Sequence, residues 1–215
     1  FAPVAMTDEE RLVGVFHSYQ KSQRFNDNSF FTYSSTEQKR VEDNCFDEAL
    51  AFVLERGRDV TREPRLDREA HVTYLLRSLR DLTQGYSSLD ASRPWLCYWD
   101  VHALALLGAR IDDATAADLI RFLKTCEHAD GGYGGGPGQL AHLATTYAAV
   151  LTLMELRRPD AYQSIDRKKL RAFLRARHQP SGAYTMHYGG EEDIRAPYLA
   201  LSVASLLRIV DGGLT

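Results

Sequence analysis

The chain has 215 residues, 44% of them apolar, with 26 basic against 29 acidic side chains and a formal net charge of −3. This suffices for a sizeable core, and the near balance, with Lys and Arg interspersed among acidic residues, argues against nucleic acid as a partner. Cys45, Cys97 and Cys126 form neither a CxxC pair nor a Cys/His cluster, and no apolar run is long enough to span a bilayer, so a reduced, cytoplasmic chain without a transmembrane segment is expected.

The first helix is predicted at Thr7, where Glu10 completes a capping box, and the polar and aromatic run from Tyr19 to Ser34 reads as a loop. Ser35 with Gln38 opens a second helix, along which Val41, Cys45, Ala49, Phe52 and Val53 form a stripe ending before Gly57. A connector, Thr61 to Leu66, contains Pro64. Asp67 caps the next helix, whose Val72, Leu75, Leu76, Leu79 and Leu82 are expected to face a core until Gly85. LDASRP reads as a turn, and Pro94 suits the first turn of a helix from Trp95 to Leu107, stopped by Gly108. Four further helices are predicted at 113–126, capped by Asp113, and at 144–156, 164–177 and 196–210; no strand pattern competes.

Two segments superpose without a gap, Phe122 to Leu156 on Phe173 to Leu207. A shorter copy precedes them, with Tyr98, Val101, Leu104 and Leu107 in register with Tyr147, Val150, Leu153 and Leu156. The chain is therefore a string of αα-hairpins, with glycine-rich connectors at 128–142 and 179–193, that can form a solenoid or close into a toroid. In this register Trp95, Ala144 and Arg195 share one position. Three such different side chains at one place in successive hairpins suggest the lining of a cavity.

Trp95 and Trp99 lie four apart on one helical face, which would suit either ordinary core or a ligand wall; the register favours the wall, because Val101, Leu104 and Leu107 already supply the packing stripe. Tyr147 and Tyr198 could anchor their loops or offer an apolar face with a hydroxyl to a ligand. Arg195 needs an anionic partner, either Glu191 or Asp193 in a structural pair or a bound carboxylate. His142 reads as a hydrogen-bonded loop residue that gains interest from its neighbours. The aspartates at 112, 113 and 118 have the wrong spacing for a magnesium-diphosphate box, and GGYGGGPG lacks the strand and the Lys-Ser/Thr of a P-loop.

LDASRPWLCYW at 89–99, GGYGGGPGQLAHLATTYAAV at 131–150 and MHYGGEEDIRAPYLALSVASL at 186–206 closely resemble the β subunits of protein farnesyltransferases, in the protein prenyltransferase family. The resemblance covers most of the chain after about Leu66. It implies an all-α fold, an α/α toroid whose funnel binds farnesyl diphosphate and a protein C-terminus ending in Cys-aliphatic-aliphatic-X. It also implies a farnesyltransferase α subunit as partner and a division into an N-terminal arm with helices at 1–66 and toroid repeats at 67–215. Carried over by position, Trp95, Tyr147, Arg195 and Tyr198 correspond to isoprenoid-contacting residues. Trp95, Trp99, His142, Ala144, Glu191 and Arg195 correspond to peptide-contacting ones. Trp95 matches the residue that stops the lipid chain, which favours farnesyl over the geranylgeranyl group used by type I geranylgeranyltransferase. The implied zinc ligands, an aspartate, a cysteine and a histidine, fall in repeats absent from this sequence, and magnesium is compatible with the family. No catalytic or metal-binding residue is thus expected here, and the toroid is expected to be incomplete, as is the chain itself, which opens on Phe1. A noncatalytic helical-repeat module is the alternative from another class.

Overall fold

The computed structural model describes residues 7, 10, 11, 13–15, 17, 18, 31–57 (backbone alone at 53 and 55–57) and 66–214. Phe1–Leu66 and Asp67–Thr215 form two compact units.

In the first unit the Thr7 N–H donates to the Glu10 carboxylate at 2.8 Å and the Glu10 N–H to the Thr7 hydroxyl at 3.2 Å, which is the expected capping box. Helix α1 spans Tyr33–Gly57. It opens at Thr32, which exchanges backbone and side-chain hydrogen bonds with Ser35, so Ser35 sits inside the first turn and does not start it. Val41, Cys45 and Phe52 of the expected stripe are exposed. Residues 19–30 of the expected loop and 61–65 of the connector lie outside the described residues.

In the second unit α2 spans Arg68–Ser78, capped as expected by the Asp67 carboxylate on the Ala70 N–H at 3.0 Å. It is shorter than its apolar pattern suggested and has no fully buried residue; it packs chiefly along α3, and its Tyr74 hydroxyl lies 2.9 Å from that of Tyr86. A 3₁₀ helix, Gln84–Ser92, replaces the expected turn and runs into α3, Arg93–Leu106, with Pro94 in its first turn. Helix α4 is Asp113–Cys126; its cap is Asp112, whose carboxylate accepts from the Thr115 N–H at 2.9 Å, and Asp113 is the first helical residue. Helix α5 is Leu143–Glu155. The helix predicted at 164–177 is α7, Arg167–Arg177, which starts later because the Asp166 carboxylate caps it by accepting from the N–H groups of Lys168 and Lys169; a short helix that was not predicted, α6, Pro159–Ser164, precedes it. Helix α8 is Ala196–Leu206.

Helices α3, α5 and α8 pack side by side as equivalent members of successive hairpins. The shared stripe forms the core, with Val101, Leu104, Val150, Leu153 and Val203 all at 0–1% exposure. From the partner helices Leu119, Leu123, Leu170 and Leu174 close it. Helix α7 departs from the interspersed charge pattern read in the sequence. Six of its 11 residues are basic and none is acidic. Arg171 and Arg175 both pair with Asp211, and Arg167 donates to the Leu207 carbonyl, so the stripe ties down the segment after α8.

Each long helix of the α3, α5, α8 series ends with a left-handed residue at the same repeat position: Gly108 at φ 69°, Arg157 at 52° and Arg208 at 52°. The Ala109 and Ile209 N–H groups then reach back to the Leu104 and Ala204 carbonyls, both at 2.9 Å, the Schellman pattern. An arginine in this conformation crowds its own Cβ, so Arg208→Gly is expected to raise stability by about 0.5–1 kcal/mol, read as a higher melting temperature. A lower one would show that the arginine side chain contributes more than its backbone costs.

Candidate functional site

The first two turns of α3, α5 and α8 carry a continuous strip of aromatic rings. Centroids are 5.8 Å apart between Trp95 and Tyr147, 5.9 Å between Tyr147 and Tyr198, and 5.8 Å between Trp95 and Trp99. These spacings fall in the range of favourable tilted and edge contacts. Trp95 and Tyr147 are half-buried, whereas Trp99 is 51% and Tyr198 65% exposed, so the strip is open to solvent while Tyr147 rests on the core. Ala144 adds only a methyl group between Trp95 and Arg195 in the repeat register. Burial raises the Tyr147 hydroxyl well above the usual phenol range, and the neighbouring Tyr198 and Tyr98 hydroxyls push the same way. It stays a hydrogen-bond donor across the physiological range.

A second group of side chains lies at the rim. Arg195 donates from Nε at 2.9 Å and from Nη2 at 2.6 Å to the two carboxylate oxygens of Asp193. This fork lowers the Asp193 carboxyl to about 2. Of the two expected acidic partners only Asp193 holds Arg195; Glu191 faces His187, with Oε2 3.7 Å from Nε2. His142 proves to be the N-cap of α5: its Nδ1 accepts from the Ala144 N–H at 3.1 Å. Its ring meets that of His187 at 5.6 Å.

The structure thus brings Trp95, Trp99, Tyr147 and Tyr198 into one wall, and His142, Ala144, Glu191 and Arg195 around the entrances of α5 and α8. Sequence reading missed His187, left open which of Glu191 and Asp193 pairs with Arg195, and left unused Tyr98, whose ring stacks on His102 at 5.4 Å. The repeat register already held the signal for Tyr98. His187 and Asp193 flank a glycine turn whose geometry no periodicity reports.

Two features set limits on chemistry here. A concavity of about 780 Å³ lies away from this wall, between α2, α3 and α4, against Leu79, Leu96, Cys97 and Phe122. Burial pushes the Cys97 thiol up to about 12, so it is no nucleophile. Among the described residues no three His, Cys, Asp or Glu side chains converge as a metal site would require, so these residues do not fit zinc. Nor is any helix of the described residues long and apolar enough to cross a membrane.

The family model described as a prenyltransferase alpha-alpha toroid domain matches residues 66–213. The chain belongs to the prenyltransferase family. Its hairpins are those of an α/α toroid, and the aromatic strip lies on the repeated helices α3, α5 and α8. The chain is similar to the protein farnesyltransferase β subunit of Arabidopsis thaliana, at 47% identity over 87% of this chain and 39% of that protein. It is 54% identical to the pea subunit of the same name over 55% of this chain and 28% of that protein. Against that of Saccharomyces cerevisiae the identity is 38%, over 71% and 36%. This prenyltransferase chain therefore spans less than two fifths of the length of these curated relatives.

Proposed function

We propose that this chain supplies the lipid and peptide wall of a protein farnesyltransferase β subunit, which transfers farnesyl from farnesyl diphosphate to the cysteine of a C-terminal Cys-aliphatic-aliphatic-X sequence. The observation that carries the reading is the aromatic strip: Trp95, Tyr147 and Tyr198 in ring contact across three helices, with Trp95 at its end. Adjacent aromatic rings of this kind suit a flat, branched, apolar isoprenoid, which gains roughly 25 cal/mol for each Å² it removes from water. Trp95 and Trp99 would share their second faces with the aliphatic residues of the peptide. His142, Ala144, Glu191 and Arg195 would border its C-terminal end, where the guanidinium and imidazole can act as donors.

The residues described here bind and orient. Zinc, which would hold the peptide cysteine as a thiolate nucleophile, belongs in this proposal to other parts of the complete subunit, as does any magnesium. The α subunit is the proposed partner and the cytoplasm the proposed site of action.

The test is to co-express the complete chain with its α subunit and assay prenyl transfer to such a peptide. Farnesyl incorporation, abolished by zinc chelation and restored by zinc, is the expected result. A preference for geranylgeranyl diphosphate would reassign the chain to the type I geranylgeranyltransferase group. No transfer of either lipid by a folded complex would overturn the enzymatic reading.

A further inference from the structure

His187 is seated at the rim from several sides. A Cβ added at Gly190 would stand 2.7 Å from its Cδ2 and Nε2, so the ring lies directly over that glycine. Its Nδ1 is 3.0 Å from the Tyr188 carbonyl and its Nε2 3.7 Å from Glu191. Its backbone is bridged to that of His142, and the Leu143 N–H donates to the Met186 carbonyl at 2.8 Å beside it. The two imidazoles are thereby pressed together at 5.6 Å with a 33° tilt. His142 itself has one tautomer open to it when neutral. The Ala144 N–H points at its Nδ1, so that atom must be the acceptor and Nε2 must carry the hydrogen.

We propose that His187 is a positioning residue: braced by Gly190, the Tyr188 carbonyl and Glu191, it holds His142 as a neutral Nε2–H donor that selects a peptide end offering a hydrogen-bond acceptor. This rests on the proposed peptide site at His142. Two adjacent imidazoles resist carrying two charges. A proton on Nδ1 of His142 would meet the Ala144 N–H head-on and release the cap of α5. The charged and titratable groups around His142 are His187, Glu191, Arg195 and Asp193, all from the segment between α7 and α8. Burial lowers the His142 pKa first, then His187; Glu191 and Asp193 oppose, and Arg195 adds to the lowering. A histidine depressed in this way contributes stability that is present above the ordinary imidazole range and lost as the pH falls below it.

Exchange of the histidine C2–H, read residue by residue by mass spectrometry in the complete chain with its partner subunit, follows the protonation of His142 without any need for turnover. In His187→Phe, which keeps a ring over Gly190, the midpoint for His142 is expected to move up; in Glu191→Gln it is expected to move down. His187→Gln, smaller and uncharged, serves where the phenylalanine disturbs the fold, with the same upward shift expected. In His187→Phe the KM for peptide is also expected to rise severalfold at pH 6 relative to pH 8, with KM for the lipid diphosphate following its native profile. Unmoved midpoints, or shifts of the opposite sign, overturn the proposal. A complex in which the midpoints move as stated but no prenyl group is transferred would leave His187 in its role and sink only the farnesyltransferase reading.

Discussion

Replacing Trp95 by Thr is expected to swing the lipid preference of the complete enzyme from farnesyl toward geranylgeranyl by about 10²-fold, measured as the ratio of kcat/KM for the two diphosphates. The argument is one of length and of contact. Trp95 closes one end of the aromatic strip, touching Tyr147, Tyr98 and Trp99 at ring distances of 5.8 Å, 6.0 Å and 5.8 Å. Removing the indole opens space for a fourth isoprene unit, whose five carbons at about 0.8 kcal/mol each could contribute up to about 4 kcal/mol. The realised gain falls short of this because the opened wall relaxes. Trp95→Phe, which keeps a ring against Tyr147, is expected to retain most of the farnesyl preference. If Trp95→Thr left the ratio unchanged in a folded complex, Trp95 would be core and not a chain-length stop.

The largest effect on stability is expected at Gly135. A methyl group there would lie 1.9 Å from the Ala91 carbonyl oxygen and 2.2 Å from its carbon, and both atoms are backbone. The glycine loop is therefore packed against the 3₁₀ helix with no space for a side chain, and the Arg93 N–H fixes the contact by donating to the Gly135 carbonyl at 2.9 Å. Gly135→Ala must push the two segments apart, at a cost of about 3 kcal/mol or more, which lowers the melting temperature by roughly 10 °C. Gly85→Ala is the control, since its nearest neighbour would be the Thr83 hydroxyl at 3.8 Å. Equal melting temperatures for the two variants would mean that the loop is not seated on Ala91. Because Arg93 lies two residues before Trp95, Gly135→Ala should also blur lipid selectivity in whatever complex still assembles.

The wall itself was legible in the sequence for a particular reason. Trp95, Ala144 and Arg195 share a repeat position, so the alternation of helix and glycine loop fixes where each side chain emerges, and identical packing residues such as Leu104 and Leu153 mark which face is core. The rim was harder to read. Arg195 needed an anion, yet nothing in the order Glu191, Glu192, Asp193 says which carboxylate turns toward it; the bidentate geometry at Asp193 is set by the backbone turn into α8. His142 as an N-cap required knowing that α5 starts at Leu143, and a histidine is an uncommon cap. The end of α2 was overrun because Leu79 and Leu82 continue the helical spacing, whereas local turn bonds from Arg80 and Asp81 to the Arg77 carbonyl close the helix first.

By itself, then, the sequence determined the all-α class, the hairpin repeat, the core stripe and the family, because each follows from periodic burial or from long matched segments that survive any small shift in boundaries. Only the tertiary structure decided which rings touch, which carboxylate pairs with Arg195, and that His187 rests on Gly190 against His142. Those contacts join residues separated in the chain, through loops whose path is fixed by steric fit and individual hydrogen bonds that leave no period in the sequence.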